Sequence, residues 1–143
     1  MQTVERRALV PYTAAQMFVL VNDVPRYPEF LPWCVGARAE PSGPNEVVAT
    51  LKIARGVLRT EFKTRNRSEA DRRIYMQLVE GPFRHLTGEW LFEPTMPRGS
   101  HVRLRVEFEF KNRWMAAALN PVFDAVCRTM VDSFVLHARR SFG

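Results

Sequence analysis

The chain has 143 residues, 46% of them hydrophobic and 25% charged, with a net charge of +6. That length suits one domain over residues 1–143 with a full core, and that composition excludes a chain dominated by disorder. No apolar run reaches the roughly 18 residues of a membrane span, and the stretch 1–7 lacks the apolar core of a signal peptide, so a cytoplasmic protein is expected.

The first strand is read over Thr3–Val10, with Val4, Ala8 and Val10 on one face and Glu5 and Arg7 on the other. A helix follows with clear start signals. Thr13 is a good N-cap, Gln16 completes a capping box, and Tyr12 and Met17 occupy the positions of a hydrophobic staple. It should stop by Asn22-Asp23. Pro25, Pro28 and Pro32 then limit the backbone to a short helical turn, because each lacks an N–H and fixes φ. This segment also carries Arg26, Tyr27, Phe30, Leu31 and Trp33. They are expected either to cover the core or to form the rim of a cavity.

From Val35 to Lys111 the period is two. Leu58, Thr60, Phe62 and Thr64 alternate with Arg59, Glu61, Lys63 and Arg65, and Val102, Leu104, Val106, Phe108 and Phe110 alternate with charged residues. Turn signals at Pro41–Asn45, Arg55-Gly56, Ala70-Asp71, Gly81-Pro82 and Pro97–Gly99 separate the strands. The pattern is an antiparallel meander with one wet and one covered face. The covering element is a C-terminal helix read as starting at Asn120-Pro121, an N-cap followed by proline at the first helical position. Trp114–Leu119 would form a preceding turn or a kinked start. Leu119, Val122, Phe123, Val126, Cys127, Met130, Phe134 and His137 fall within one arc of that helix.

The chemistry of the sequence is sparse. His85, His101 and His137 have no metal-ligand spacing, and there is no phosphate loop or nucleophile elbow. Cys34 and Cys127 read as small buried thiols, with a disulfide between them as the alternative. No catalytic set and no metal site are expected. The apolar inventory says more. Phe62, Met76, Trp90, Phe92, Phe108, Phe110, Phe123, Met130 and Phe134 are expected to converge between sheet and helix, as a solid core or as the lining of an apolar ligand cavity. Gly88 marks a bend or close approach within a strand.

The basic excess favours an anionic partner, and all basic residues except Lys52, Lys63 and Lys111 are arginines. Arg55, Arg59, Lys63, Arg65, Arg67, Arg72 and Arg73 would form an RNA- or anion-binding patch, or else a solvated face shared with Glu61, Glu69 and Asp71.

Two runs, Val10–Phe18 and Asp23–Cys34, the latter containing Tyr-Pro-Glu-Phe-Leu-Pro-Trp-Cys, resemble the opening of the coenzyme Q-binding branch of the polyketide cyclase/START-like superfamily. Bacterial members of that branch are called ribosome association toxin A. Phe62–Asn66, Gly81-Pro82-Phe83, Leu86-x-Gly88-x-Trp90-x-Phe92, Phe108-x-Phe110 and Met130-Val131-x-Ser133-Phe134 extend the resemblance over essentially the whole chain. It implies an α+β helix-grip fold: a curved antiparallel sheet of six or seven strands wrapped around a long C-terminal helix, with one or two short helices after the first strand. It also implies two unlike functions. One is the binding of a hydrophobic ligand, a ubiquinone or other isoprenoid, with peripheral contact at the inner face of the membrane and no cofactor required. The other is association with the large ribosomal subunit, blocking subunit joining. The cyclase/dehydrase label of the superfamily brings no catalytic residues onto this sequence, and a DNA partner is not expected.

Overall fold

Strict alternation of apolar and charged residues builds seven antiparallel strands, because successive side chains leave a strand on opposite faces. The computed structural model describes all residues, 1–143. The strands are β1 (Gln2–Val10), β2 (Cys34–Gly43), β3 (Glu46–Arg55), β4 (Leu58–Glu69), β5 (Arg73–Glu80), β6 (Phe83–Thr95) and β7 (Gly99–Phe110). They form one sheet in the order β1-β7-β6-β5-β4-β3-β2. The six later strands are a meander, and β1 closes its far edge by pairing with β7. Register shifts interrupt the ladders at Cys34/Gly36, Lys63/Thr64 and Phe83/His85. Such bulges bend a strand and increase its twist, which curves the sheet. This is the α+β helix-grip architecture read from the sequence.

Between β1 and β2 lie helix α1 (Ala14–Asn22) and a 3₁₀ segment (Val24–Glu29). The capping box of α1 is formed: Thr13 Oγ1 accepts from the Gln16 amide at 3.1 Å, and the Gln16 carboxamide oxygen accepts from the Thr13 amide at 2.8 Å. Tyr12 and Met17, the two halves of the staple, are both buried. The prolines do hold the next segment to a 3₁₀ turn.

The C-terminal helix differs from the expectation. Helix α2 is continuous over Arg113–Phe142, capped by Asn112, whose side chain accepts from the Met115 amide at 2.9 Å. Asn120-Pro121 therefore lies inside the helix, not at its start. Pro121 removes one backbone donor there, and packing compensates: Met115, Ala116 and Leu119, all before the proline, rest against the core. Arg139 and Arg140 in the last turn face the negative end of the helix dipole. The buried stripe of α2 holds Phe123, Val126, Cys127, Val131, Phe134 and Ala138. Arg6 on β1 reaches Asp132 at 3.0 Å, tying the sheet edge to the outer side of the helix.

Candidate functional site: an apolar cavity between sheet and helix

The inner face of the sheet is not filled uniformly. A cavity of about 60 Å³ lies between β3–β7, the segment after α1, and the middle of α2. Fifteen of its eighteen lining residues are hydrophobic. Its floor is Ala49, Leu51 and Ile53 of β3 with Phe62, Met76, Leu86, Leu104 and Val106 of the next four strands. Its roof is Phe123, Val126, Cys127 and Met130, and Val24, Tyr27 and Trp33 close one side. Occupied ligand sites commonly measure about 300–1,000 Å³, so a ligand of any size must push side chains aside. Met76 and Met130 are suited to that movement, being unbranched and polarizable.

Gly88 explains part of the space. A Cβ there would stand 2.6 Å from Met76 Cε, so the missing side chain is what admits the Met76 thioether.

The structure separates the residues expected to line this space. Phe62, Met76, Phe123 and Met130 form its walls. Trp90, Phe92, Phe108, Phe110 and Phe134 do not border it. They form a dense aromatic core, with Trp90 and Phe134 centroids 5.3 Å apart and Phe108 stacking edge-on to Phe123 at 4.7 Å. The reason is size: large rings fill the volume between β6, β7 and α2, while Ala49 and Thr64 leave theirs open.

The segment expected as a rim is also divided. Tyr27, Leu31 and Trp33 are buried, at 7%, 1% and 2% exposure, and Tyr27 and Trp33 are wall rather than rim. Burial pushes the Tyr27 pKa far upward, and its hydroxyl donates to the Val21 carbonyl. Exposure of Tyr27, which a rim position requires, is therefore not observed. Phe30 is half-buried and stacks on His137, with centroids 3.9 Å apart. Arg26 alone is well exposed, and it pairs with Glu29 at 3.1 Å.

Sequence reasoning missed the polar side chains of the cavity. Thr64 and Asn66 both line it, 7% and 8% exposed. The Thr64 hydroxyl donates to Asn66 Oδ1 at 2.7 Å. The signal was present: Asn66 continues the inward parity of Leu58, Phe62 and Thr64.

The basic residues do not gather into one free patch. Lys63 pairs with Glu80, Arg65 and Arg67 share Glu46, and Arg73 bridges Glu69 and Glu89. Arg55, Arg59 and Arg72 have no ion pair. Arg55 and Arg59 flank the β3–β4 turn, and Arg72 lies in the β4–β5 turn at the other end of β4.

Burial raises the pKa of both free thiols, Cys127 strongly, so neither is a ready nucleophile. No group of three or more His, Cys, Asp or Glu side chains could hold a metal ion, and no helix is long and apolar enough to cross a membrane.

A family model described as "Polyketide cyclase / dehydrase and lipid transport" matches residues 10–135. The chain belongs to this family. Among curated relatives, the ribosome association toxin RatA of Escherichia coli (strain K12) is 37% identical over 142 residues, covering 99% of this chain and 90% of the relative. The mitochondrial coenzyme Q-binding protein COQ10 of Drosophila melanogaster is 25% identical over 142 residues, covering 96% of this chain and 59% of that one. A START superfamily protein from Mycobacterium smegmatis superposes with a TM-score of 0.78 at 16% identity, covering 96% of this chain and 97% of that one. That likeness shows the START-like fold alone.

Proposed function

We propose that this protein is a non-catalytic, cytoplasmic binding protein that associates with the large ribosomal subunit and limits subunit joining. The observation that carries the reading is the end-to-end similarity to proteins named ribosome association toxin, 37% and 38% identical over 142 and 143 residues. The net charge of +6 supports an RNA-rich partner. The unpaired Arg55 and Arg59 at the β3–β4 turn are free to meet phosphates, since they have no carboxylate to leave. Cosedimentation with purified large subunits tests the reading. Comigration at low salt should fade steeply as salt rises, because phosphate contacts release counterions. Protein that stays at the top of a low-salt gradient rejects it.

A second reading is favoured by one specific observation, the apolar cavity between sheet and helix. It binds a hydrophobic ligand of the polyprenyl quinone class, in line with the family description and the COQ10 relative. Mass spectrometry of lipids extracted from protein purified from its native host tests it. Absence of any copurified lipid, together with no response to added quinone, counts against it.

A further inference from the structure

Fifteen of the eighteen residues around the cavity are hydrophobic, and Gly88 contributes no side chain. Thr64 and Asn66, adjacent inward positions on β4, are the polar exceptions. The Thr64 hydroxyl spends its hydrogen on Asn66 Oδ1. That bond fixes which way the amide points. Its oxygen is occupied, and its nitrogen, carrying two N–H donors, makes no hydrogen bond within the protein. Asn66 is buried to more than nine-tenths as a residue, and its amide nitrogen keeps a small accessible surface, so a ligand entering the cavity can reach it.

A second unpaired donor belongs to another lining residue. Trp33 is 2% exposed, it lines the cavity, and its indole Nε1 has no partner. Tyr27 adds no free donor, because its hydroxyl is committed to the Val21 carbonyl. The other buried side-chain atom without a partner, Asn120 Oδ1, is an acceptor on α2 and does not line the cavity. The cavity thus has unpaired donors against apolar walls. Leaving a buried polar group unpaired costs about 1–3 kcal/mol, which a ligand atom that pairs with it recovers.

We infer that the cavity selects ligands carrying a hydrogen-bond-accepting oxygen, a ketone or quinone carbonyl on an apolar ring, and that the Asn66 amide is the group that receives it. Trp33, on the side closed by the segment after α1, offers a second donor. A carbonyl suits the site because it accepts and has no hydrogen of its own to place among aliphatic side chains. Met76 and Met130 move aside for the ring, while the Thr64–Asn66 bond keeps the donor in position. The inference rests on the second reading above, that the cavity takes an apolar ligand.

The test uses the full chain and two probes with the same decyl chain on a six-membered ring, decylubiquinone and n-decylbenzene, both measured by thermal shift and the quinone also by quenching of tryptophan fluorescence. The quinone should bind at least about tenfold more tightly than the hydrocarbon, the ratio expected for one good hydrogen bond. Asn66→Leu should remove most of that preference and leave n-decylbenzene binding within about twofold. Trp33→Phe, which keeps an aromatic ring but deletes the N–H together with the pyrrole part of the indole, should weaken quinone binding less. If Asn66→Leu does not fold, the infrared carbonyl stretch of quinone bound to the unaltered protein gives the answer, since a donated hydrogen bond lowers its frequency. Equal binding of the two probes, or a bound carbonyl stretch at its hydrocarbon-solvent position, overturns the inference and leaves the cavity reading standing. Failure of both probes to bind overturns the cavity reading, and this inference with it.

Discussion

The two halves of the sheet's inner face follow the same alternating pattern and end in different states. On β6 and β7, Phe83, Trp90, Phe92, Phe108 and Phe110 are all buried, and Phe83 and Phe110 stack with centroids 4.7 Å apart. Across β3 to β5 the inward positions hold Ala49, Leu51, Thr64, Asn66 and Met76, and the cavity opens over them and reaches Leu86 and Gly88 of β6 and Leu104 and Val106 of β7. Helix α2 packs chiefly on β1 and β7 and only lightly on β4. Period two decides which residues point inward. Their volumes decide whether the interior becomes core or cavity.

The sharpest way to break this contrast is to remove a ring from the solid half. Phe134 is fully buried and meets Tyr27, Phe30 and Trp90 at centroid distances of 5.3, 5.1 and 5.3 Å. Phe134→Ala should cost about 3–5 kcal/mol in urea unfolding, because transfer and cavity terms add. A loss below about 1 kcal/mol would mean that this half is as loosely packed as the other.

The cavity half should tolerate change far better. Gly88→Ala places a methyl against Met76 Cε, the free end of a flexible side chain. An interior strand glycine is itself unfavourable by roughly 0.5–1 kcal/mol relative to alanine, so the displacement of Met76 is largely offset. Stability should stay within about 1 kcal/mol of the parent while the thermal shift caused by decylubiquinone shrinks. An undiminished shift would place the ligand elsewhere.

The same contrast shows how far the sequence could be read. The sheet, the capping box of α1 and the covering helix were legible because each rests on local periodicity or a local cap. The cavity was legible only as an inward face. Four of the nine residues expected to line it do so, since parity cannot tell Trp90, which fills its space, from Met76, which borders an opening. Asn66 was overlooked because a polar residue ended the apolar stripe of β4 too early in the reading. The start of α2 was misplaced because Asn120-Pro121 has the composition of a helix start, whereas the cap in use is Asn112, eight positions earlier in a less conspicuous stretch. The basic residues were legible as a list, with Glu69 among the carboxylates beside them, but their distant partners were not. Glu46 lies about twenty positions from Arg65 and Arg67, and Glu89 lies sixteen from Arg73, so only the strand register brings them together.

The smallest expected effect tests the margin of the solid half, where α2 meets the segment after α1. His137 lies nearly parallel to Phe30, at an interplanar angle of 6°. Burial lowers its pKa below the ordinary histidine value, helped by the positive charges of Arg26 and Arg140. Glu29 and Asp23 oppose the shift without cancelling it. The unfolded chain, with a histidine value of about 6.5, therefore takes up a proton more readily than the folded one. Stability from this site is fully present above that value and is lost as pH falls through it toward the folded value. Thermal unfolding between about pH 7.5 and pH 5.5 should show a small decline that His137→Gln flattens. Glu29, whose pKa is itself lowered by Arg26, stays ionised throughout that window and does not confuse the result. Quinone-induced thermal shifts should be unaffected, because His137 and Phe30 border a separate surface depression and not the cavity. If protonation instead weakened quinone uptake in step with stability, the two halves would be coupled through Tyr27, the one aromatic residue that both lines the cavity and packs on Phe30 and Phe134.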